Sequence, residues 1–342
     1  MQRVRPPRRP GLLELLAAAV ILVTAALSLR LPYFAIAPGP AQDVSRLIKI
    51  RGAPTTPVRG QLLLTTVSLH EIRVAEAIRG WFDHSITVLS RSVIIPPGTS
   101  EREVEERTTQ QMEESQVLAA AAALRLLGYD IRVEATGARI RTVNEGVPAS
   151  SALRSGDVVV AANGRPVRRA QDVRAALDGR RAGDAVRLRI VRGGETLEVT
   201  TRTVGRPEDP SQPVIGITVE DFPRVRLPLA IDIESLGIGG PSAGLMFALG
   251  IYDLLNPADL VRGRVIAGTG EIDFDGEVGP VGGVRQKVES ARRSGATVFL
   301  VPSAELREAC ELAEGMTVIA VERLSQAVGA LRSGRAPAPS CT

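Results

Sequence analysis

The 342 residues carry 42 Lys+Arg against 38 Asp+Glu, a formal net charge of +4, and 44% of them are hydrophobic. Length and apolar content together exclude a disordered chain and leave room for two folded domains. Aromatic residues make up only 3% and the arginines are interspersed with carboxylates, so no basic face interleaved with aromatics marks a nucleic-acid binder.

The first ten residues, MQRVRPPRRP, are basic, and the run GLLELLAAAVILVTAALSL from Gly11 to Leu29 carries Glu14 as its single charge. That length and polarity predict a transmembrane helix over 11–29, with the N-terminus cytoplasmic and everything after residue 30 outside the cytoplasm. A signal peptide cleaved after Ala35-Ile36-Ala37 is the competing reading. VLAAAAALRLLGY and GLMFALGIYDLL are too short to span a bilayer and are expected to be core helices.

Residues 30–54 read as a linker. GQLLLTTVSL (Gly60 to Leu69) predicts a strand, and TTQQMEESQVLAAAAALRLLG (Thr108 to Gly128) predicts a long helix ended by glycine. The two histidines, His70 and His84, sit in no nucleophile or metal motif, so ordinary structural roles are expected for both.

From Ile131 to Val204 short strand-like runs alternate with turns, including a hairpin over Gly193-Gly194. Within them Pro148-Ala149, Gly156-Asp157, Val158 to Val160 and Asn163-Gly164 follow one another in the order of a bacterial PDZ domain, which this stretch resembles. Ser150 to Ser155 is one residue shorter than the commoner spacing, and no glycine precedes Leu153. The resemblance implies a β-rich PDZ domain at 129–204 that captures an extended peptide by strand addition at an open sheet edge. A structural or autoinhibitory spacer is the alternative.

GRPEDPSQP (Gly205 to Pro213) opens the last domain, 205–332, in which VIGITVE and LPLAIDIE alternate with helices expected at Ser242 to Leu255 and Val284 to Ser294. Residues 333–342 are expected to be a disordered tail. Cys310 and Cys341 give neither a disulfide framework nor a metal cluster and are expected to be structural or incidental thiols.

GIGGPSAGLMFALG places Ser242 between a glycine-proline corner and an apolar helix. A helix start alone could explain it, because proline suits the first helical position and a serine there can satisfy free N–H groups. As a nucleophile the hydroxyl would need a base, and the usual histidine is scarce. Of the 42 basic side chains only Lys49 and Lys287 are lysines, and Lys287 stands one turn into a helix after a glycine-rich loop. A lysine acts as base once its pKa falls from about 10.4 to near 7, which desolvation worth about 4 kcal/mol supplies. Arginine cannot, because its guanidinium stays charged.

GGPSAG, TGEIDFDGEVGPVGGVRQK and VFLVP, in this order, resemble the proteolytic domain of the Lon family, a serine-lysine dyad peptidase. The resemblance implies Ser242 as nucleophile, Lys287 as general base and Thr269 as the residue orienting the lysine. Gly240, Pro241 and Ala243 would form the nucleophile and oxyanion loop at the positive end of a helix. QMEESQVLAAAAAL resembles the Met-x-Glu-Ser helix of the same domain, so the protease domain is expected in two parts, 55–128 and 205–332, with the PDZ domain inserted. The implied fold class is α/β: an α+β Lon-type proteolytic domain, an inserted β-rich PDZ domain and an N-terminal transmembrane helix.

Anchor, YFAIAPGPAQDV, PDZ and Lon-like domains together resemble the membrane-anchored PDZ-containing Lon-like peptidases of bacteria. No G-x-x-x-x-G-K-[ST] occurs, so ATP-independent endopeptidase action is expected, with no nucleotide, cofactor or metal. The expected partners are extracytoplasmic peptides or unfolded protein segments, the membrane, and further copies in a ring. A non-catalytic membrane-tethered PDZ scaffold is the competing reading.

Overall fold

The computed structural model describes residues 12–83, 85–96, 98–334 and 339–341. Two compact units divide the chain: Met1–Gly128 with Leu229–Thr342, and Tyr129–Pro228 between them.

The outer unit starts with α1 (Leu12–Ser28), whose 17 residues end just before Arg30 opens strand β1 (Arg30–Pro38). At 1.5 Å per residue this helix is about 25 Å long, short of a hydrocarbon core of about 30 Å. Among the described residues no helix is long and apolar enough to cross a membrane, so the span expected over 11–29 is not found as such. Residues 30–54, expected as a linker, are largely structured. Besides β1 they form strand Gln42–Asp43, a short helix Val44–Leu47 and strand Ile48–Arg51, which pairs with Ala230–Ile233. The reason is burial: Phe34, Ala35, Val44, Leu47 and Ile48 all lie in the core.

Strands β2 (Gln61–Leu64), β3 (Val67–Arg73) and β4 (Thr87–Ser90) follow, and β1 pairs antiparallel with both β3 and β4. Helix α2 (Glu101–Leu126) begins seven residues before the expected Thr108 because Ser100 and Glu103 cap it reciprocally. The Glu103 N–H donates to Ser100 Oγ at 3.2 Å, and the Ser100 N–H donates to Glu103 Oε2 at 2.8 Å. Ala119 to Ala123 are all buried, and since five consecutive residues exceed one helical turn, α2 is enclosed on every side there.

The inner unit is a sheet of β5 (Arg132–Val143), β6 (Val158–Ala162), β7 (Ala185–Arg192), β8 (Glu195–Arg202) and β9 (Ile217–Arg226), in spatial order β8-β7-β6-β5-β9, with a short helix Ala170–Ala175. Residues 205–228, expected to open the last domain, pack here instead: β9 pairs antiparallel with β5 from Ile217↔Val143 to Arg226↔Arg132. Pairing with β5 gives this strand a ladder that a connection to the outer unit would lack. Asp157 of the Gly-Asp turn is 1% exposed and accepts two hydrogen bonds from Arg192, both at 2.7 Å, so this motif residue is structural.

Returning to the outer unit, α3 (Gly244–Leu255) packs against α2 and is buried from Gly244 through Asp253. Strands β10 (Val265–Gly268), β11 (Val298–Pro302) and β12 (Thr317–Val321) lie parallel beside β2, in the order β2-β10-β11-β12. All five residues of β11 are buried, as in a parallel sheet covered on both faces. Helix α4 (Val284–Arg293) covers one face through Val284, Val288 and Ala291, against Ala267 and Phe299.

Of the residues 333–342 expected to form a disordered tail, 335–338 and 342 lie outside the described residues, and the described ones are ordered. Helix α5 runs Leu324–Ser333, and strand Ser340–Cys341 pairs antiparallel with β12. Cys341 is disulfide-bonded to Cys310, 31 positions away in sequence, so these are not incidental thiols. The strand pairing brings the two together, a juxtaposition that cysteine spacing alone does not encode.

One core residue is electrostatically costly. Asp253 is 3% exposed; its Oδ1 accepts the Leu260 N–H at 2.7 Å, while Oδ2 is buried without a partner. Burial pushes its carboxyl up to about 6, with the Leu260 N–H opposing. A raised folded-state pKa stabilises the fold at low pH, and that contribution is lost as pH rises through about 6. In urea unfolding, Asp253→Asn is therefore expected to gain stability over wild type between pH 4.5 and pH 7, with a constant advantage above. A pH-independent difference would rule out this cost.

Candidate active site

The loop before α3 is fixed from two sides. From α2, the Thr108 carbonyl accepts the Gly240 N–H at 2.8 Å and Ser115 Oγ donates to the Pro241 carbonyl at 2.9 Å. From the exit of β10, the Gly270 N–H and Thr269 Oγ1 both donate to the Ser242 carbonyl, at 2.9 and 3.0 Å. The Leu245 N–H returns a bond to the Gly270 carbonyl at 3.0 Å. Close approach makes Gly244 necessary, since a Cβ there would lie 2.8 Å from both Ser115 Oγ and Ile272 Cγ2.

The helix starts two residues later than expected from Ser242. Its N-cap is Ala243, which offers no side-chain cap, so Ser242 and Pro241 lie outside the first turn. The Ser242 hydroxyl caps nothing, and its half-buried side chain makes no hydrogen bond among the described residues. Within the loop, the Gly240 N–H is committed to Thr108 and Pro241 has none to offer. That leaves the N–H groups of Ser242 and Ala243, for which no backbone acceptor is found among the described residues.

Lys287 sits in the first turn of α4, whose N-cap Gly283 adopts φ +69°, a left-handed conformation suited to glycine. The side chain is 3% exposed, and Nζ donates to Thr269 Oγ1 at 3.1 Å. Thr269 is fully buried, and its own N–H donates to the Leu300 carbonyl of β11 at 3.0 Å. One threonine hydroxyl therefore links the Lys287 amine to the Ser242 backbone. Burial pushes the Lys287 amine down to about 8, against the opposing charges of Glu271 and Glu305. Glu271, half-buried, is itself pushed up by burial and held back by Lys287.

The lysine's neighbours on α4 are anchored as well. Gln286 Nε2 donates to the Ser85 carbonyl at 3.1 Å and to Thr87 Oγ1 at 2.9 Å, and Ser290 Oγ donates to the Gly39 carbonyl at 2.7 Å. Thr108, Ser290 and Glu305 lie in none of the motifs, whereas Ser115 ends the Met-x-Glu-Ser pattern and Gln286 falls within the GGVRQK stretch without being singled out. His70 lines a separate cavity of about 250 Å³ with Pro38, Glu76, Asp83, Ser85 and Arg293, and His84 lies outside the described residues. Among the described residues no three His, Cys, Asp or Glu side chains converge as a metal site.

Buried hydrogen bonds of the Ser115 kind are worth about 1 kcal/mol. Ser115→Ala is expected to lower the unfolding free energy by about that amount in urea titration, and an unchanged midpoint would show that the bond holds nothing.

Residues 125–203 match the family model described as PDZ domain, and residues 217–331 match the Lon protease (S16) C-terminal proteolytic domain. The second match starts within β9, inside the inner unit. Lon protease 2 of Herpetosiphon aurantiacus is 33% identical over 116 residues, covering 33% of this chain and 14% of that relative. Lon protease 2 of Bacillus subtilis is 35% identical over 91 residues, covering 26% of this chain and 16% of the relative. The chain thus spans only a small part of the length of these curated relatives. Among solved structures, the PDZ domain of the SdrC-like protein from Listeria monocytogenes aligns at 22% identity and a TM-score of 0.23, covering 25% of this chain and 87% of that one. The chain carries a PDZ domain and a serine-peptidase domain of the Lon type.

Proposed function

We propose that the chain is an ATP-independent serine endopeptidase whose nucleophile is Ser242 and whose general base is Lys287. The observation that carries this reading is the buried amine, hydrogen-bonded to Thr269 while Thr269 is bonded to the Ser242 backbone. An amine brought down to about 8 is partly neutral at physiological pH and can accept a proton, whereas an ordinary lysine is almost wholly charged.

In this mechanism the Ser242 Oγ proton passes to the lone pair of Lys287 Nζ as Oγ bonds to the scissile carbonyl carbon, and the carbonyl π pair moves onto oxygen. The N–H groups of Ser242 and Ala243, two residues ahead of the α3 N-terminus, donate to that oxyanion. Collapse breaks the C–N bond, and the Lys287 ammonium returns its proton to the leaving nitrogen. Water, deprotonated by the same amine, then hydrolyses the acyl-serine. Thr269 orients the amine by accepting one of its N–H bonds, and the Gly240–Pro241 corner aims the loop.

With no phosphate-binding loop in the sequence, the substrates suited to this chain are extended or locally unfolded polypeptides. In the inner unit β9 is an outer strand of its sheet, so its free edge offers main-chain pairing for such a segment. The protein is read as attached to a membrane through residues 11–29, with both units extracytoplasmic. Supporting this, Leu13, Leu16, Val20, Ile21 and Leu22 of α1 are exposed, and the residues before them are basic. The Cys310–Cys341 disulfide suits an oxidising compartment.

With fluorescein-labelled casein as probe, wild-type cleavage is expected to rise with pH through about 8, because the ammonium form below that value cannot take the serine proton. Ser242→Ala is expected to lower cleavage by at least about 10³-fold with its unfolding midpoint little changed, and Lys287→Arg to lower cleavage as much and also to lower the midpoint, because arginine keeps its charge in a site that is 3% exposed. A Lys287→Arg protein that still cleaves casein would exclude the lysine as base.

A further inference from the structure

A polypeptide that reaches Ser242 has to be held extended, and one strand of the outer unit starts where such a segment would arrive. Thr65 Oγ1, two residues before β3, donates to the Gly268 carbonyl at 3.2 Å, next to Thr269. At the first residue of β3, Val67 Cγ1 approaches Gly283, the N-cap of the Lys287 helix, so closely that a Cβ on that glycine would lie 3.0 Å from it. One turn further on, the Lys287 N–H donates to the Gly283 carbonyl at 3.1 Å. β3 therefore begins at the Thr269–Lys287 corner and extends about 20 Å from it to Arg73.

The outer side of this strand is open. β3 pairs with β1 on one side and has no partner strand on the other among the described residues. Val67, Ser68, Leu69, His70 and Glu71 are all exposed, so neither face of the strand is covered along that stretch. Their register with β1 is unbroken from Val67↔Pro38 to Glu71↔Phe34, and no bulge turns the edge away. Val67 to His70 includes no lysine, arginine or proline, the residues that ordinarily keep an edge strand from recruiting another chain. Other edges of the outer unit are short. Gln42–Asp43 and Ser340–Cys341, two residues each, bound the sheet of β2, β10, β11 and β12, and β4 has four residues before helix Arg91–Ile94 begins. A seven-residue open edge that starts at the Lys287 helix stands apart from these.

We propose that the open edge of β3, Val67 to Glu71, is the rail on which an extended segment of the polypeptide substrate docks by strand addition. The inference rests on the serine-lysine reading above. Main-chain N–H and C=O groups on the open side pair with a substrate backbone whatever its sequence, which suits a peptidase with no unfolding motor. Antiparallel pairing, the more stable arrangement, sets the direction. The docked segment then has its C-terminal end at Val67, so it lies on the N-terminal side of the bond that Ser242 attacks. Its side chains alternate between the two faces, and those on the face shared by Val67 and Leu69, 37% and 46% exposed, meet apolar surface. The substrate class is an unfolded segment with apolar residues at alternating positions upstream of the cut.

The test uses the full chain. In the Ser242→Ala protein, amide hydrogen exchange across residues 67–73 is measured with and without unlabelled casein; docking is expected to slow it about 10-fold when casein stands about tenfold above its Kd. In protein with the Ser242–Lys287 pair intact, Leu69→Asp is expected to raise KM for fluorescein-labelled casein about 5–20-fold, with kcat within about twofold of wild type. Its unfolding midpoint stays in place because the side chain is exposed, and Leu69→Ile behaves as wild type. A merely structural role would lower the midpoint and kcat instead. Exchange across 67–73 that casein leaves unchanged, or a KM that Leu69→Asp leaves unchanged, overturns the rail alone if Ser242→Ala and Lys287→Arg are inactive. Exchange that is already slow without casein and quickens on dilution assigns the edge to a second copy of the chain and also overturns it. Undiminished cleavage by Ser242→Ala or Lys287→Arg overturns the serine-lysine reading beneath it.

Discussion

Everything about the site follows from burying one lysine amine whose one hydrogen-bond acceptor among the described residues is a neutral hydroxyl. A lysine in water is protonated at neutral pH and useless as a base; desolvation removes that preference at a cost of 1.36 kcal/mol per pKa unit. From an ordinary 10.5 to about 8, keeping the 3% exposed Lys287 inside costs the folded protein roughly 3 kcal/mol at pH values below about 8. The core of the outer unit must be rigid enough to hold it there.

The architecture provides that rigidity from several directions at once. β10 ends at Gly268, opposite Leu300 of the longer β11, so the next residue, Thr269, donates its N–H to the Leu300 carbonyl while its hydroxyl reaches Lys287. Helix α2, far away in sequence, holds the serine loop through Thr108 and Ser115. Segments before residue 91 grip α4 on either side of the lysine through Gln286 and Ser290. Insertion of the inner unit between α2 and the serine loop therefore divides a single packed core in sequence only.

Much of this was legible in the sequence, for identifiable reasons. Ser242 and Lys287 stood out because a lysine is conspicuous among arginines and because glycine-rich corners mark places where the backbone must turn sharply. Thr269 and the division of the outer unit into two parts came from the resemblance of TGEI and QMEES to the Lon proteolytic domain. What stayed hidden depends on long-range pairing. Residues 205–228 look like the start of an α/β segment, and only the β5 edge shows that they belong to the inner sheet. The disulfide needed Cys341 delivered to Cys310 by a strand formed after an apparently featureless stretch. The apolar run at 11–29 reads as a full span, whereas the helix found there has 17 residues and a strand begins at Arg30. Ser115 and Gln286 fall within quoted motifs, but what each of them holds, the Pro241 carbonyl and the Ser85–Thr87 segment, shows only in the fold.

With only two lysines in the chain, the buried amine can be observed directly. Selective labelling with ¹³Cε-lysine gives two side-chain signals by NMR, and Lys287→Arg identifies one by its disappearance. The Lys287 signal is predicted to titrate at about 8 in the intact protein. A Lys287 amine that stays fully charged up to pH 10 would contradict the account.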